Sequence, residues 1–279
     1  MTRTADAIVI GAGVIGAATA YELAKQGHKV LVVDRLKQAG HGSTAGSCAI
    51  IRMHYSTFDG TAFAWEGYHY WRDWADYLGA PQGEALAQFR EVGCLVMKTS
   101  ANGQLEKHME NSAKLNCPYE EWDPARISDA LPIYKLDRYA PAKRLDDPAF
   151  GEPTGGALSG AVLWPHAGYV TDPALSAQNL LSAAQRKGAD AVLGQKVTAI
   201  LQSGDRVQGV RLSDGSEIHA PVVINVAGPA SAKINAMAGV LGDMTIETKA
   251  LRQEVVHVPS PEGFDFEAKG MIVSDSDIA

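Results

Sequence analysis

Apolar residues near the start of the chain fall in two short runs, Ala7 to Ile10 and Val30 to Val33, and between them Ala20, Leu23 and Ala24 recur at helical spacing. The pattern predicts strand, helix, strand. Three glycines, Gly11, Gly13 and Gly16, stand where the first strand gives way to the helix, and Asp34 closes the second strand. Gly11 permits the tight turn, Gly13 lets backbone approach a pyrophosphate, and Gly16 lets the helix pack closely on the strand. Val14 and Ile15 form the first helical turn, whose amides and partial positive charge suit an anion. Asp34 stands at the distance expected of a carboxylate that hydrogen-bonds ribose hydroxyls, which favours FAD or NAD over NADP. The fingerprint alone does not choose between the first two.

After Asp34 the pattern becomes loop-like through Gly46, and GSTAGSCAIIRMHYS follows from Gly42 to Ser56. The small and hydroxyl residues Gly42, Ser43, Thr44, Gly46 and Ser47 suit backbone passing close to a ligand, and Ala49, Ile50 and Ile51 favour an ordered segment over a flexible surface loop. Gly60 to Leu78 predicts one amphipathic helix with Ala64, Tyr68, Trp71, Ala75 and Leu78 on its core face. Glu91 to Lys98 predicts a strand, Asn102 to Leu115 a helix, Trp122 to Leu131 a short helical piece, and Pro132 to Pro153 an irregular region. Ala157 to Trp164 predicts a strand leading to a helix capped by Asp172, with Pro173 in its first turn and Gly188 at its end. Lys196 to Gln202, Arg206 to Leu212 and Ser216 to His219, parted by Ser-Gly-Asp and Ser-Asp-Gly turns, predict an antiparallel meander. Val222 to Val226 predicts a buried parallel strand that Ala227, Gly228 and Pro229 turn into a helix, repeating the strand-glycine-helix logic of the opening.

Composition narrows the class. The chain has 279 residues, 46% hydrophobic and 20% charged, the profile of a soluble globular protein of one large or two smaller domains. Its net charge of −7 argues against nucleic acid or an anionic membrane as partner. Cys48, Cys94 and Cys117 show neither CxxC nor zinc-type spacing, so they are expected as free thiols in a reducing compartment, with no metal site. The start, MTRTADA, lacks the apolar core of a signal peptide, and the longest apolar stretch is too short and glycine-rich to span a bilayer. The expected location is cytoplasmic.

The fingerprint GAGVIGAATAYELAKQGHKVLVVD, the GSTAGSCAIIR loop, the segment GYVTDPALSAQNLLSAAQRKGA, the meander and VVINVAGPASAKI together resemble the FAD-dependent oxidoreductases of the D-amino-acid oxidase type. That group includes sarcosine oxidase and dehydrogenase, glycine oxidase, dimethylglycine dehydrogenase and the flavoprotein subunits of proline dehydrogenases. The resemblance runs over nearly the whole chain in the family's order and implies FAD rather than NAD. It implies an α/β fold: a Rossmann-like FAD-binding domain, with a parallel sheet and an antiparallel meander, and an α+β substrate domain that is C-terminally incomplete. The implied segments are 1–85 and 156–245 for FAD, and 86–155 and 246–279 for substrate.

By position, the resemblance places Gly11, Gly13 and Gly16 at the pyrophosphate, Asp34 at the ribose and Arg35 along the cofactor. Gly42, Ser43 and Thr44 are implied beside the pyrophosphate and flavin, the Val197 backbone at the adenine, and Ala227 and Gly228 near the diphosphate. Amino-acid oxidation by flavin needs a neutral amine, an aimed Cα hydrogen and a group to hold the carboxylate. Arg52 occupies the place of the family's substrate arginine, and a guanidinium offers bidentate geometry. His54 and Tyr55 adjoin it, His54 being expected as a satisfied structural histidine or a group reaching the same cavity. In ALRQEVVHV, Arg252 and Gln253 match the RQ of sarcosine-oxidase relatives, while Leu251 stands where they have tyrosine. The GSTAGSC loop also lacks the histidine pair of some sarcosine oxidases.

The implied reaction is oxidation of the C–N bond of an amino acid or N-methyl amino acid, sarcosine-, glycine- or proline-like, to an imine. Relatives continue past MIVSDSDIA, so a second polypeptide or a homo- or hetero-oligomer is expected to complete the site. The competing expectations are a catalytically silent FAD-binding or assembly subunit and, against the meander and the VAGP turn, a NAD-dependent dehydrogenase.

Overall fold

The structure, a computed structural model, describes residues 3–252 and 254–276. In chain order its elements begin with β1 (Arg3–Thr4), β2 (Ala7–Ile10), α1 (Val14–Lys25), β3 (Val30–Asp34), β4 (Ile50–Ile51), α2 (Phe58–Arg72), α3 (Trp74–Leu78), β5 (Phe89–Glu91) and β6 (Cys94–Met97). Next come α4 (Leu105–Lys114), β7 (Glu120–Trp122), α5 (Pro124–Ala130), β8 (Ala161–Trp164), β9 (Gly168–Val170), α6 (Pro173–Arg186) and β10 (Asp190–Leu193). The rest are β11 (Val197–Ser203), β12 (Arg206–Leu212), β13 (Glu217–His219), β14 (Val222–Asn225), α7 (Ser231–Met237), α8 (Phe266–Lys269) and β15 (Ile272–Ser274).

The chain forms two compact units. The first gathers the described residues up to Ala49, then Trp74–Gln88 and Val170–Val256; the second gathers Ile50–Asp73, Phe89–Tyr169 and the described residues from His257 on. These units are cut differently from the expected segments 1–85, 86–155, 156–245 and 246–279. Strand pairing explains part of the difference: Ile50 pairs with Tyr169 and Ile51 with Gly168, which holds both stretches in the second unit.

In the first unit a parallel sheet has the order β10-β3-β2-β14. Alternation along the strands sends Ile8, Ile10, Leu31 and Val33 to one face, where they form a single buried cluster with Val197, Ile200, Val210, Leu212 and Ile218 of the meander. Each such side chain, once buried, contributes roughly 1.5–3 kcal/mol. The meander is antiparallel as expected, and β1 extends it by pairing parallel to β13. Helix α1 packs against α6 through small residues, with Ala17, Ala20 and Ala24 buried on α1 and Ala177 and Ala184 buried on α6. Asp172 caps α6 by accepting from the Leu175 amide at 2.9 Å. Strand β14, expected as a buried central strand, stands at the sheet's edge with Val222 48% exposed. A continuous apolar run cannot by itself separate a central strand from an edge strand.

In the second unit β15, β6, β8 and β7 form one sheet, and β4, β9 and β5 a smaller one. Met53, Tyr68, Cys94, Val96, Cys117, Val162 and Trp164 share a core. Two predicted elements break. The single helix over Gly60–Leu78 ends at Arg72, because Asp73 leaves helical geometry at φ −104° and ψ 39°, and α3 resumes at Trp74. Ala75 is exposed, not on a shared apolar face. The strand over Glu91–Lys98 is interrupted by Gly93, whose φ of +78° turns the chain between β5 and β6. The three cysteines are free, Cys48 exposed and Cys94 and Cys117 buried. Among the described residues no helix is long and apolar enough to cross a membrane.

Candidate functional site

The first unit gathers its distinctive residues at the carboxyl edge of the parallel sheet. β2 ends at Ile10, and Gly11 turns with φ +115°, its amide donating to the Val33 carbonyl at 2.8 Å. A Cβ on Gly11 would overlap the Val226 carbonyl oxygen, and one on Gly16 would overlap the Gly11 carbonyl oxygen. These two glycines are thus required by close backbone packing. Gly13 differs: a Cβ there would meet no backbone, only the Thr44 Oγ1 at a tight 3.2 Å. Gly13 is also the N-cap of α1 and supplies no side-chain cap, which leaves first-turn amides facing outward.

One of those amides has a partner in the following loop. The Thr44 Oγ1 accepts from the Val14 amide at 3.1 Å, which places a hydroxyl at the positive end of α1. A hydroxyl that accepts one bond still has its O–H to donate. Gly40 anchors the same loop by donating to the Ala12 carbonyl at 2.8 Å, and a Cβ on Gly40 would come within 2.7 Å of the Ala174 carbonyl oxygen. Gly40 was not among the expected site residues; its signal, a lone glycine in a run of turn residues, does not separate it from its neighbours. Gly42 and Ser43 are exposed, as are Arg35 and the Ile15 side chain.

Asp34 is tied into the turn rather than projecting freely. Its Oδ2 accepts from the Ala12 amide and its Oδ1 from the Leu36 amide, both at 2.7 Å. An ionised carboxylate has about four acceptor sites, so each oxygen keeps one to offer. From β10, which pairs Leu193 with Asp34, the chain returns a bond from the Gln195 amide to the Asp34 carbonyl at 3.0 Å and enters β11 at the buried Val197. On the other side of β2, the Val226 amide donates to the Ile10 carbonyl at 3.0 Å, and Ala227 leads to Gly228 at φ +56°, where a Cβ would meet open space. The glycine turn, Asp34, Thr44, Val197, Ala227 and Gly228 therefore converge on one edge.

The second unit carries Arg52, His54 and Tyr55 between β4 and α2. The exposed Arg52 guanidinium lies over the Tyr55 ring, 4.9 Å from its centroid. The Tyr55 carbonyl is fixed from two directions, by the Thr61 Oγ1 at 3.1 Å and the Asn111 Nδ2 at 3.2 Å, both from buried side chains. His54 turns away from this pair. It is 3% exposed, its ring 4.5 Å from Trp164 and 5.7 Å from His108, and its Nδ1 has no hydrogen-bond partner among the described residues. Its Nδ1 is thus left unsatisfied, with the ring packed in the apolar core around Trp164. Burial, then the Arg52 and His108 charges, lower its pKa to about 3, so the imidazole is neutral. His108 and Asn111 carry no signal in the sequence because nothing local ties α4 to residues 54 and 55.

Arg252 stands apart from any built arrangement. It lies in the first unit in a stretch without regular structure, 86% exposed, paired with Glu254 at 2.9 Å. Its expected neighbour Gln253 lies outside the described residues.

The family model described as FAD dependent oxidoreductase, DAO, matches residues 6–277. The uncharacterized oxidoreductase YurR of Bacillus subtilis is 31% identical over 224 residues, 79% of this chain and 54% of YurR. Among solved structures, the L-proline dehydrogenase of P. horikoshii aligns with a TM-score of 0.70 at 22% identity, over 86% of this chain and 57% of that one. The glycine oxidase of Geobacillus kaustophilus aligns with a TM-score of 0.66 at 22% identity, over 85% and 59%. The chain spans little more than half the length of these relatives.

Proposed function

Because the chain belongs to the FAD dependent oxidoreductase family, we propose that it takes part in oxidising the C–N bond of an amino acid or N-methyl amino acid, sarcosine-, glycine- or proline-like, to an imine. The observation that carries this reading is the convergence, at one sheet edge, of the side-chain-free Gly13 backbone, the α1 amides and the spare acceptor sites of Asp34. That donor and acceptor set fits a dinucleotide diphosphate and its ribose. FAD, when bound, supplies a two-electron acceptor for the substrate's Cα–H.

In this reading the chain's own residues bind and orient. Gly11, Gly13, Val14, Ile15 and Gly16 present backbone to the diphosphate, and the Thr44 hydroxyl, held by the Val14 amide, adds a donor beside them. Asp34 takes the ribose hydroxyls, while Arg35, Gly42, Ser43, the Val197 backbone, Ala227 and Gly228 line the remainder. Arg52 binds the substrate carboxylate, its guanidinium steadied over Tyr55.

The purified chain should bind FAD and turn yellow, and its bound flavin should bleach under anaerobic conditions with one member of an amino-acid panel. A chain indifferent to FAD would sink the proposal. A second reading, a silent FAD-binding or assembly subunit, is favoured by the exposed apolar Ile246, Leu251, Val255 and Val256, 56–79% exposed, which call for a further polypeptide or another copy. FAD binding without bleaching by the panel would support it; turnover by this chain alone would exclude it.

A further inference from the structure

The two glycine turns at the sheet edge are mechanically joined. The Gly11 position is filled to within contact of the Val226 carbonyl and Ala227 Cα, and the Gly16 position reaches the Val226 Cγ2 at 3.1 Å. Whatever sets the path of Val226 and Ala227 therefore also sets the clearance around Gly11 and Gly16.

Asn225, the last residue of β14, sets that path. Its Oδ1 accepts from the Ala227 amide at 3.2 Å, two residues on. Its Nδ2 donates to the Ser231 carbonyl at 2.9 Å and to the Asn235 Oδ1 at 2.6 Å, both on α7. One half-buried amide thus holds the start of the turn, and the helix that follows it, from both ends. Backbone pairing fixes Asn225 against Ile10 of β2, directly before Gly11. The side chain spans the turn at Gly228, a residue in left-handed geometry with no side chain of its own to hold it.

We infer that Asn225 is a positioning residue that locks the Ala227-Gly228 turn against the Gly11–Gly16 turn and so shapes the backbone cradle for the FAD diphosphate. The inference rests on the proposal that this edge binds FAD. No aliphatic residue replaces the clamp, because it needs an acceptor and a donor on one short side chain. Aspartate keeps the acceptor for the Ala227 amide and loses both donated bonds.

Titration of the purified full chain with FAD, followed by flavin fluorescence, tests this for wild type, Asn225→Ala, Asn225→Asp and Asn235→Ala, with the melting temperature of each flavin-free protein measured in parallel. Asn225→Ala should weaken FAD binding roughly tenfold, the effect of losing about one net hydrogen bond at the cradle. Asn225→Asp, which sets a carboxylate oxygen against the Ser231 carbonyl and the Asn235 Oδ1 and adds negative charge beside the cradle, should weaken binding at least as much, and Asn235→Ala should shift affinity in the same direction by less. Affinity should fall in these variants even where the melting temperature does not. If Asn225→Ala fails to fold, Asn225→Asp and Asn235→Ala decide. Wild type binding FAD while the folded variants bind it equally well would overturn the inference alone; wild type failing to bind FAD would overturn the functional reading beneath it.

Discussion

Lowering the pH should destabilise this protein through His54 in a way that one substitution removes. His54 is buried beside Trp164, and its pKa is lowered from an ordinary 6.5 to about 3, with burial as the largest cause. The unfolded chain takes up a proton on this ring below about pH 6.5, whereas the folded chain stays neutral down to about pH 3. The contribution is therefore complete above 6.5 and is lost progressively as the pH falls through that window. At about 1.36 kcal/mol per unit of pH, moving from 6.5 to 5.0 removes about 2 kcal/mol. His54→Phe keeps a ring against Trp164 and removes the titrating group. Urea unfolding followed by tryptophan fluorescence at pH 7.5 and 5.0 should then show wild type losing about 2 kcal/mol more than the variant over that interval. The double difference cancels carboxylates common to both proteins, and His108, lowered for the same reasons, stays in both. An NMR titration of the His54 imidazole gives an independent reading. Equal pH dependence in the two proteins, or a His54 resonance titrating near 6.5, would refute the reasoning.

Gly16→Ala should lower stability by roughly 1–3 kcal/mol and abolish FAD binding, since its Cβ would overlap the Gly11 carbonyl; a melting curve and a flavin titration check both. Arg52→Ala should raise the substrate concentration needed for flavin bleaching a few-fold, equivalent to about 1 kcal/mol at most and below the range for a buried charge pair because Arg52 is exposed, and unchanged kinetics would remove it from the site. With a thiol reagent at neutral pH, one equivalent should react quickly at Cys48. Cys94 and Cys117, whose pKa values burial raises to about 12 and about 11, should react only on unfolding. Asp172→Ala should cost about 1 kcal/mol through loss of the α6 cap, read as a lower melting temperature.

The FAD-type edge was largely legible in the residues because its logic is local. Strand, glycine spacing, helix and terminal acid are consecutive, and Gly11 and Gly16 answer to clashes within a few residues or with an adjacent strand. Two details needed the fold. Asp34 is bonded to the Ala12 and Leu36 amides before any ligand is considered, and Gly40 is required because the loop passes over Ala174, more than a hundred positions away in the chain. The helix predicted over Gly60–Leu78 failed for a related reason. Its periodicity treated two segments as one face, whereas Tyr68 and Trp74 are buried in different units on either side of Asp73.

Short-range pattern was enough for the parallel βαβ start, the meander, the cap at Asp172 and the family resemblance that names FAD. These rest on short-range backbone requirements that few residue types satisfy. Tertiary structure alone decided that β14 lies at an edge, that His54 points into the Trp164 core while Arg52 faces out over Tyr55, and that Thr61 and Asn111 hold the Tyr55 carbonyl. Those outcomes depend on which distant side chains compete for the same space and the same hydrogen bonds, and periodicity along a single strand or helix carries no record of that competition.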